Sequence, residues 1–217
     1  MDVLLFGPPG AGKGTQADAI CALLAVPQVA TGDIFRRHLK EGTALGQLAP
    51  GYMDRGELFP DEVVFDIVAS RLAEPDCAGG VLFDGFPRTV QQAELLVAWL
   101  GARGRQLDAV ISLEVPDETI VARLGGRRAC LSCGASYHVV NNPPKSGNIC
   151  DRCGAEVVTR KDDSEETIRA RLATYHRDTS PVLTWLRARQ PVHALDGTQP
   201  IAQVEQAIRA ALRVGQG

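Results

Sequence analysis

Residues 7–15 read Gly7-Pro8-Pro9-Gly10-Ala11-Gly12-Lys13-Gly14-Thr15. Glycines at this density let a backbone curl until successive N–H groups point inward, and such a row cradles anionic oxygens. Lys13 adds a mobile ammonium, and a helix starting here would add the positive end of its dipole. The run is therefore expected to hold the phosphates of a nucleotide, with Gly10, Ala11, Gly12, Lys13, Gly14 and Thr15 as contacts. The hydroxyl that commonly follows the lysine comes one place later, at Thr15. That shift favours a contact to magnesium through water over a direct bond.

A second group of reactive side chains is sulfur. Cys130-Leu131-Ser132-Cys133 and Cys150-Asp151-Arg152-Cys153 are two C-x2-C pairs separated by sixteen residues, 134–149. Two such turns present four thiolates as a closed tetrahedral shell, the arrangement of a zinc ribbon. A closed shell leaves no place for substrate, so Zn²⁺ held there is expected to be structural. His138 in place of Cys133 is the alternative ligand set.

A third group is Val81-Leu82-Phe83-Asp84, an apolar run ending in an acid that can orient magnesium or its waters beside phosphates. Gly85-Phe86-Pro87-Arg88-Thr89 follows, where a cis bond before Pro87 is expected.

The elements that must position these groups are legible in the hydrophobic pattern. Apolar runs at Val3–Phe6, Gln28–Ala30, Val81–Phe83, Ala109–Leu113 and Val192–Leu195 suit strands buried on both faces. Between them, Ala17, Ile20, Cys21 and Leu24, and later Ile201, Val204, Ile208 and Ala211, repeat at helical spacing. Asp163 and Glu166 suggest a capping box opening a helix that Pro181 breaks. The alternation predicts an α/β fold: a five-stranded parallel sheet with helices on both faces. Residues 127–160 lack this rhythm and are expected to form a small β-rich insertion around the cysteines.

Composition bounds the rest. The 217 residues, 45% hydrophobic and 23% charged, suit one soluble core domain with an insertion. A net charge of -3 does not point to nucleic acid or an anionic membrane. Met1–Phe6 is short and acidic, unlike a signal peptide, and no apolar run is long enough to span a bilayer. A cytoplasmic protein, without disulfides or membrane attachment, is expected.

The loop at residues 7–15 resembles that of nucleoside monophosphate kinases, and Asp84-Gly85-Phe86-Pro87-Arg88 resembles the signature of adenylate kinases, the members that use AMP. The resemblance spans nearly the whole chain and implies a P-loop NTPase-type core at 1–29, 60–126 and 161–217. It also implies an AMP-binding segment at 30–59 and a zinc-stabilised lid at 127–160. It implies AMP contacts at Thr31, Arg36, Glu57, Leu58, Phe59, Gly85, Phe86, Pro87, Arg88, Gln92, Arg160 and Arg171. ATP contacts beyond the loop would be Arg123, Arg127, Ser136, Tyr137 and Gln199, the last through its backbone, with magnesium held through water by Thr15 and Asp84.

The implied reaction moves the ATP γ-phosphoryl group to AMP, giving two ADP. The acceptor phosphate has a second pKa of about 6 and is mostly dianionic at neutral pH, so no general base is needed. Bringing two polyanions together is the obstacle. Two unit charges ~4 Å apart repel by about 4 kcal/mol at an effective dielectric of ~20. Lys13, Arg88, Arg123, Arg127, Arg160 and Arg171 are the expected catalytic cations, while Arg37, Arg128 and Arg169 read as surface residues. A monomer with ATP, AMP and ADP as partners follows. One alternative is a UMP or CMP kinase of the same fold. Another is a P-loop switch or adaptor that binds nucleic acid or protein through its zinc ribbon, although Tyr137 is the only aromatic in that insert.

Overall fold

The computed structural model describes residues 1–213. Its apolar runs are strands because each is too short for a helix; the three central ones are buried on both faces, while the two edge strands are only partly covered. β1 (Val3–Phe6), β2 (Gln28–Ala30), β3 (Leu82–Asp84) and β4 (Ala109–Glu114) come first along the chain. β5 (Arg127–Cys130), β6 (Ser136–His138) and β7 (Val157–Val158) form the insertion, and β8 (Val192–Asp196) returns to the main sheet. That sheet is parallel throughout, in the order β2-β3-β1-β4-β8. Leu4 of β1 registers with Phe83 on one side and Val110 on the other.

The two-residue period of β1 divides the core. Leu4 and Phe6 join Val29, Phe83, Leu96 and Leu100 on one face; Val3 and Leu5 join Ile20, Leu82, Ile111 and Ile208 on the other. Each such side chain contributes about 1.5–3 kcal/mol on burial. The covering helices are α1 (Lys13–Leu24), α2 (Thr31–Glu41), α3 (Ala44–Met53), α4 (Asp61–Leu72) and α5 (Val90–Gly101). α6 (Asp117–Gly125), α7 (Glu165–Thr174), α8 (Ser180–Arg187) and α9 (Ile201–Arg213) follow. The segments leaving β1, β2 and β3 carry the phosphate loop, Thr31 and Gly85–Arg88 to one edge of the sheet. That carboxyl edge is where open α/β sheets bind ligands.

The insertion is a separate antiparallel sheet, β6-β5-β7, with Arg127 opposite His138 and Cys130 opposite Val157. Its own buried cluster is Cys130, Tyr137, Cys150 and Val157. A core of that size is too small to hold a module of this length without a further constraint.

Two local expectations are corrected. The cap of α7 is Ser164, whose hydroxyl accepts the Thr167 N–H at 3.2 Å; Asp163 is buried and faces Arg127 instead. Pro181 does not end the helix. The helical path continues from α7 through a π-helical stretch, Tyr175–Thr179, and Pro181 lies in the first turn of α8. Proline has no N–H to give the turn before it, and the wider π-helical turn lies immediately ahead of it.

Candidate active site

β1 runs into the phosphate loop, and α1 starts at Lys13. Gly7, Gly10 and Gly12 have φ values of 144°, 81° and 100°. Side chains are also shut out by space: a Cβ at Gly7 would sit 2.8 Å from the Leu113 carbonyl oxygen, and one at Gly10 would sit 2.7 Å from Leu124. Lys13 Nζ donates to the carbonyls of Gly7 at 2.7 Å and Pro8 at 2.9 Å. Its pKa is pushed down from 10.5 to about 8, first by burial and then by Arg88, Arg171 and Arg127, with Asp84 opposing. Thr15 is exposed at the start of α1.

Asp84 ends β3 opposite Leu5, and one of its oxygens accepts from Gln28 Nε2 at 3.0 Å. Burial pushes its carboxyl up, while Lys13 and Arg88 pull it down. The Phe86–Pro87 bond is cis, as expected. The Gly85 carbonyl accepts from Thr31 Oγ1 at 2.8 Å and from Arg88 Nε at 2.7 Å, which ties the end of β2 to the arginine. The Arg88 guanidinium is pushed down to about 10, first by burial and then by Arg171 and Arg36, with Asp84 opposing.

Arginines of the insertion and of α7 act on the same groups. Arg160 is also pushed down to about 10, by burial and by Arg127 and Arg36, and its Nε is buried without a hydrogen-bond partner among the described residues. Arg171 donates to the Asp162 carboxylate at 3.0 Å and lies 3.5 Å from Asp163. Arg127 Nε donates to Asp163 Oδ2 at 2.7 Å. Despite its burial, Asp162 is held below the usual carboxylate range by Arg171, Arg127 and Arg160. Arg36 pairs with Asp33. Lys13, Arg88 and Arg160 form no ion pair among the described residues. Arg36, Arg88, Arg127, Arg160, Arg171 and Lys13 thus share one electropositive cleft. Arg123, in the last turn of α6, is near enough to Asp196 to help hold that carboxyl down. Asp196 shapes the late loop by accepting from Thr198 N at 2.8 Å and Gln199 Nε2 at 2.7 Å.

Other sequence-derived contacts are engaged within the protein. Gln92 Oε1 accepts the Arg88 N–H at 2.7 Å, and its Nε2 donates to Asp61 Oδ1 at 2.7 Å. Thr89 Oγ1 donates to the other Asp61 oxygen at 2.9 Å. The Phe59 ring stacks on Phe35 at 3.9 Å and on Tyr52 at 4.5 Å, so it belongs to the packing between α2 and α3. Glu57 pairs with Arg55, and Leu58 lines a cleft beside Ala170, Ala173 and Thr174. Ser136 is exposed on β6, while the Tyr137 ring is buried in the insertion. Sequence reasoning missed Asp61, Asp162 and Gln28 and misread Asp163. Asp162 and Asp163 stand beside Arg160 and Lys161, an acid pair among bases that was the available signal. Asp61 looks only like an ordinary first-turn acid.

The sulfurs of Cys130, Cys133, Cys150 and Cys153 all lie within 4.8 Å of one another. Cys130–Cys153 and Cys133–Cys150 are 3.5 and 3.6 Å apart, too far for disulfides. A tetrahedron of ~2.3 Å metal–sulfur bonds has edges of about 3.8 Å, so the donor set fits Zn²⁺. His138 is not part of it: its Nδ1 accepts the Val140 and Asn141 N–H groups at 3.1 Å. The Cys150 thiol is held down to about 6, first by the Tyr137 hydroxyl.

A parallel sheet with a glycine loop after its central strand, and a cationic cleft at its carboxyl edge, defines a P-loop nucleotide-binding protein of the phosphoryl-transfer class. The adenylate kinase family profile matches residues 5–190. An adenylate kinase of Lachnospira eligens is 50% identical over 208 residues, covering 96% of this chain and 98% of the relative. One of Moorella thermoacetica is 50% identical over 212 residues, and one of Methanosarcina acetivorans is 48% identical over 212; each covers 98% of both chains. The chain belongs to the adenylate kinase family.

Proposed function

We infer that this chain catalyses reversible transfer of the ATP γ-phosphoryl group to AMP, giving two ADP. The observation that carries this reading is the trio Lys13, Arg88 and Arg160. All three are cationic groups without an ion-pair partner among the described residues, pressed below their usual pKa by burial and by neighbouring cations: Arg88 acts on Lys13, Arg171 and Arg36 on Arg88, and Arg127 and Arg36 on Arg160. Converging cationic charge that nearby carboxylates only partly offset costs the free protein stability and is relieved by a polyanion. In the reaction an AMP phosphate oxygen forms a bond to the γ-phosphorus as the bond to the β-phosphate oxygen breaks.

The phosphate loop and Lys13 hold the donor phosphates. Arg36 and Arg88 hold the AMP phosphate, and Arg127, Arg160 and Arg171 clamp the transferring group. Arg123 and the backbone around Gln199 face the ATP base, with Ser136 and the backbone of Tyr137 beside it. Residues 30–59, including Thr31 and Glu57–Phe59, form the AMP segment, and Gln92 reads its base from α5 after loosening from Asp61. Residues 127–160 form the lid, whose closure excludes water as the competing acceptor. The remaining residues form the core.

Mg²⁺ would neutralise and orient the ATP phosphates. Asp84 and Thr15 would hold it through water, and the Asp84 oxygen not bonded to Gln28 is free for that task. Zn²⁺ in the four-cysteine shell would hold the lid together. One chain supplies both halves of the site, which supports a monomer, and four unoxidised thiols suit a reducing cytoplasm. The test is ADP formation from ATP with AMP, CMP, UMP or GMP. Formation that needs both ATP and AMP is expected, and a chain for which AMP is the poorest acceptor would overturn the assignment.

A further inference from the structure

The two cysteine turns share one backbone plan. Cys130 N donates to Ala135 O at 2.9 Å and Gly134 N to Cys130 O at 2.9 Å; Cys150 N donates to Ala155 O at 2.8 Å and Gly154 N to Cys150 O at 2.9 Å. They differ in one respect. Among the described residues only the second turn is met by a side-chain hydroxyl, that of Tyr137, 3.3 Å from Cys150 Sγ. The same oxygen accepts the Asp151 N–H at 2.8 Å.

A phenol has one proton and two lone pairs. The Asp151 N–H takes a lone pair, and a metal-bound thiolate has no proton to give. The Tyr137 O–H must therefore be the donor to Cys150. Tyr137 also sits on β6 opposite Arg128, one position from the Arg127–His138 pair, so the strands that meet the sulfur carry a phosphate-clamp arginine.

We propose that Tyr137 is a positioning residue for the lid metal: its hydroxyl donates to Cys150 Sγ and receives the Asp151 N–H, holding the second cysteine turn in the shape that closes the four-sulfur shell. This rests on the metal reading above and deepens it by assigning the partner that orients one ligand. Removing such a partner typically weakens metal binding about 10- to 100-fold.

The test uses the full chain loaded with Zn²⁺, as wild type, Tyr137→Phe and Val157→Ala. The last loosens the same small core but keeps the hydroxyl. Zinc content is measured first, then the rate of zinc loss to excess chelator, then the melting temperatures of the loaded and stripped forms; circular dichroism confirms folding. We expect Y137F to release zinc roughly tenfold faster than wild type and clearly faster than V157A. We also expect Y137F to melt below wild type when loaded but with it when stripped. A wild-type chain that holds no zinc overturns the metal reading and this inference together. A loaded wild type matched by Y137F in release rate overturns the inference alone. So does a V157A chain that releases as fast as Y137F, or an equal melting deficit with and without metal.

Discussion

Replacing Arg88 by Met should make the free protein more stable and nearly inactive. The guanidinium is driven from its ordinary, much higher value down to about 10 by burial and by Arg171 and Arg36. A charge held that far from its ordinary value costs the folded state about 3 kcal/mol at neutral pH. The sign follows from linkage. The unfolded chain binds this proton more tightly, so the penalty is fully present below about pH 10 and fades only as pH rises above that value. Met removes the charge and keeps much of the packing volume, but loses the bond from Nε to the Gly85 carbonyl, worth about 1 kcal/mol. The net gain is about 1–2 kcal/mol, or roughly 2–8 °C in melting temperature for a domain of this size. Activity moves the other way. Two charge-assisted bonds to phosphate, about 1.5–3 kcal/mol each, correspond to a loss in kcat/KM for AMP of roughly 10²- to 10⁴-fold. Thermal unfolding without nucleotide and initial rates of ADP formation measure both. A melting temperature that falls, or a rate that stays near wild type, would refute the view that the cleft is strained in order to bind phosphate.

Lys13 predicts a pH dependence. Its folded pKa of about 8 lies below the ordinary 10.5, so free protein loses this proton near pH 8 while bound phosphates draw it back. ATP affinity should weaken above about pH 8, with proton uptake on binding at pH 8.5 detectable by calorimetry in two buffers; a flat profile counts against the site. Without nucleotide, the same group should add stability as pH rises from 8 toward 10.5. Asp163→Ala strips the buried partner from Arg127, a change that costs about 3 kcal/mol and should lower the melting temperature by roughly 6–12 °C. An unchanged melting curve would show that the pair is not structural. Chelating Zn²⁺ from a chain loaded at the four-cysteine site should lower the melting temperature more than the initial rate at low temperature, and parallel losses would point to a metal in the chemistry.

Contiguous chemistry was settled by sequence alone. The phosphate loop, the Asp84–Arg88 run and the two cysteine pairs are each complete within a few residues, so neighbouring side chains and local backbone preference suffice to specify them. The strand runs were equally legible because a parallel sheet buried on both faces leaves continuous apolar stretches. Tertiary structure decided the pairings. Asp163 neutralises Arg127 across 36 positions, Asp61 holds Gln92 across 31, and Tyr137 meets Cys150 across 13. Sheet order and helix placement create those contacts, and no periodicity along the chain encodes them. For the same reason Asp163, a plausible cap by spacing, became a buried counter-ion. A charge acts through distance and burial, and both exist only once the chain has folded.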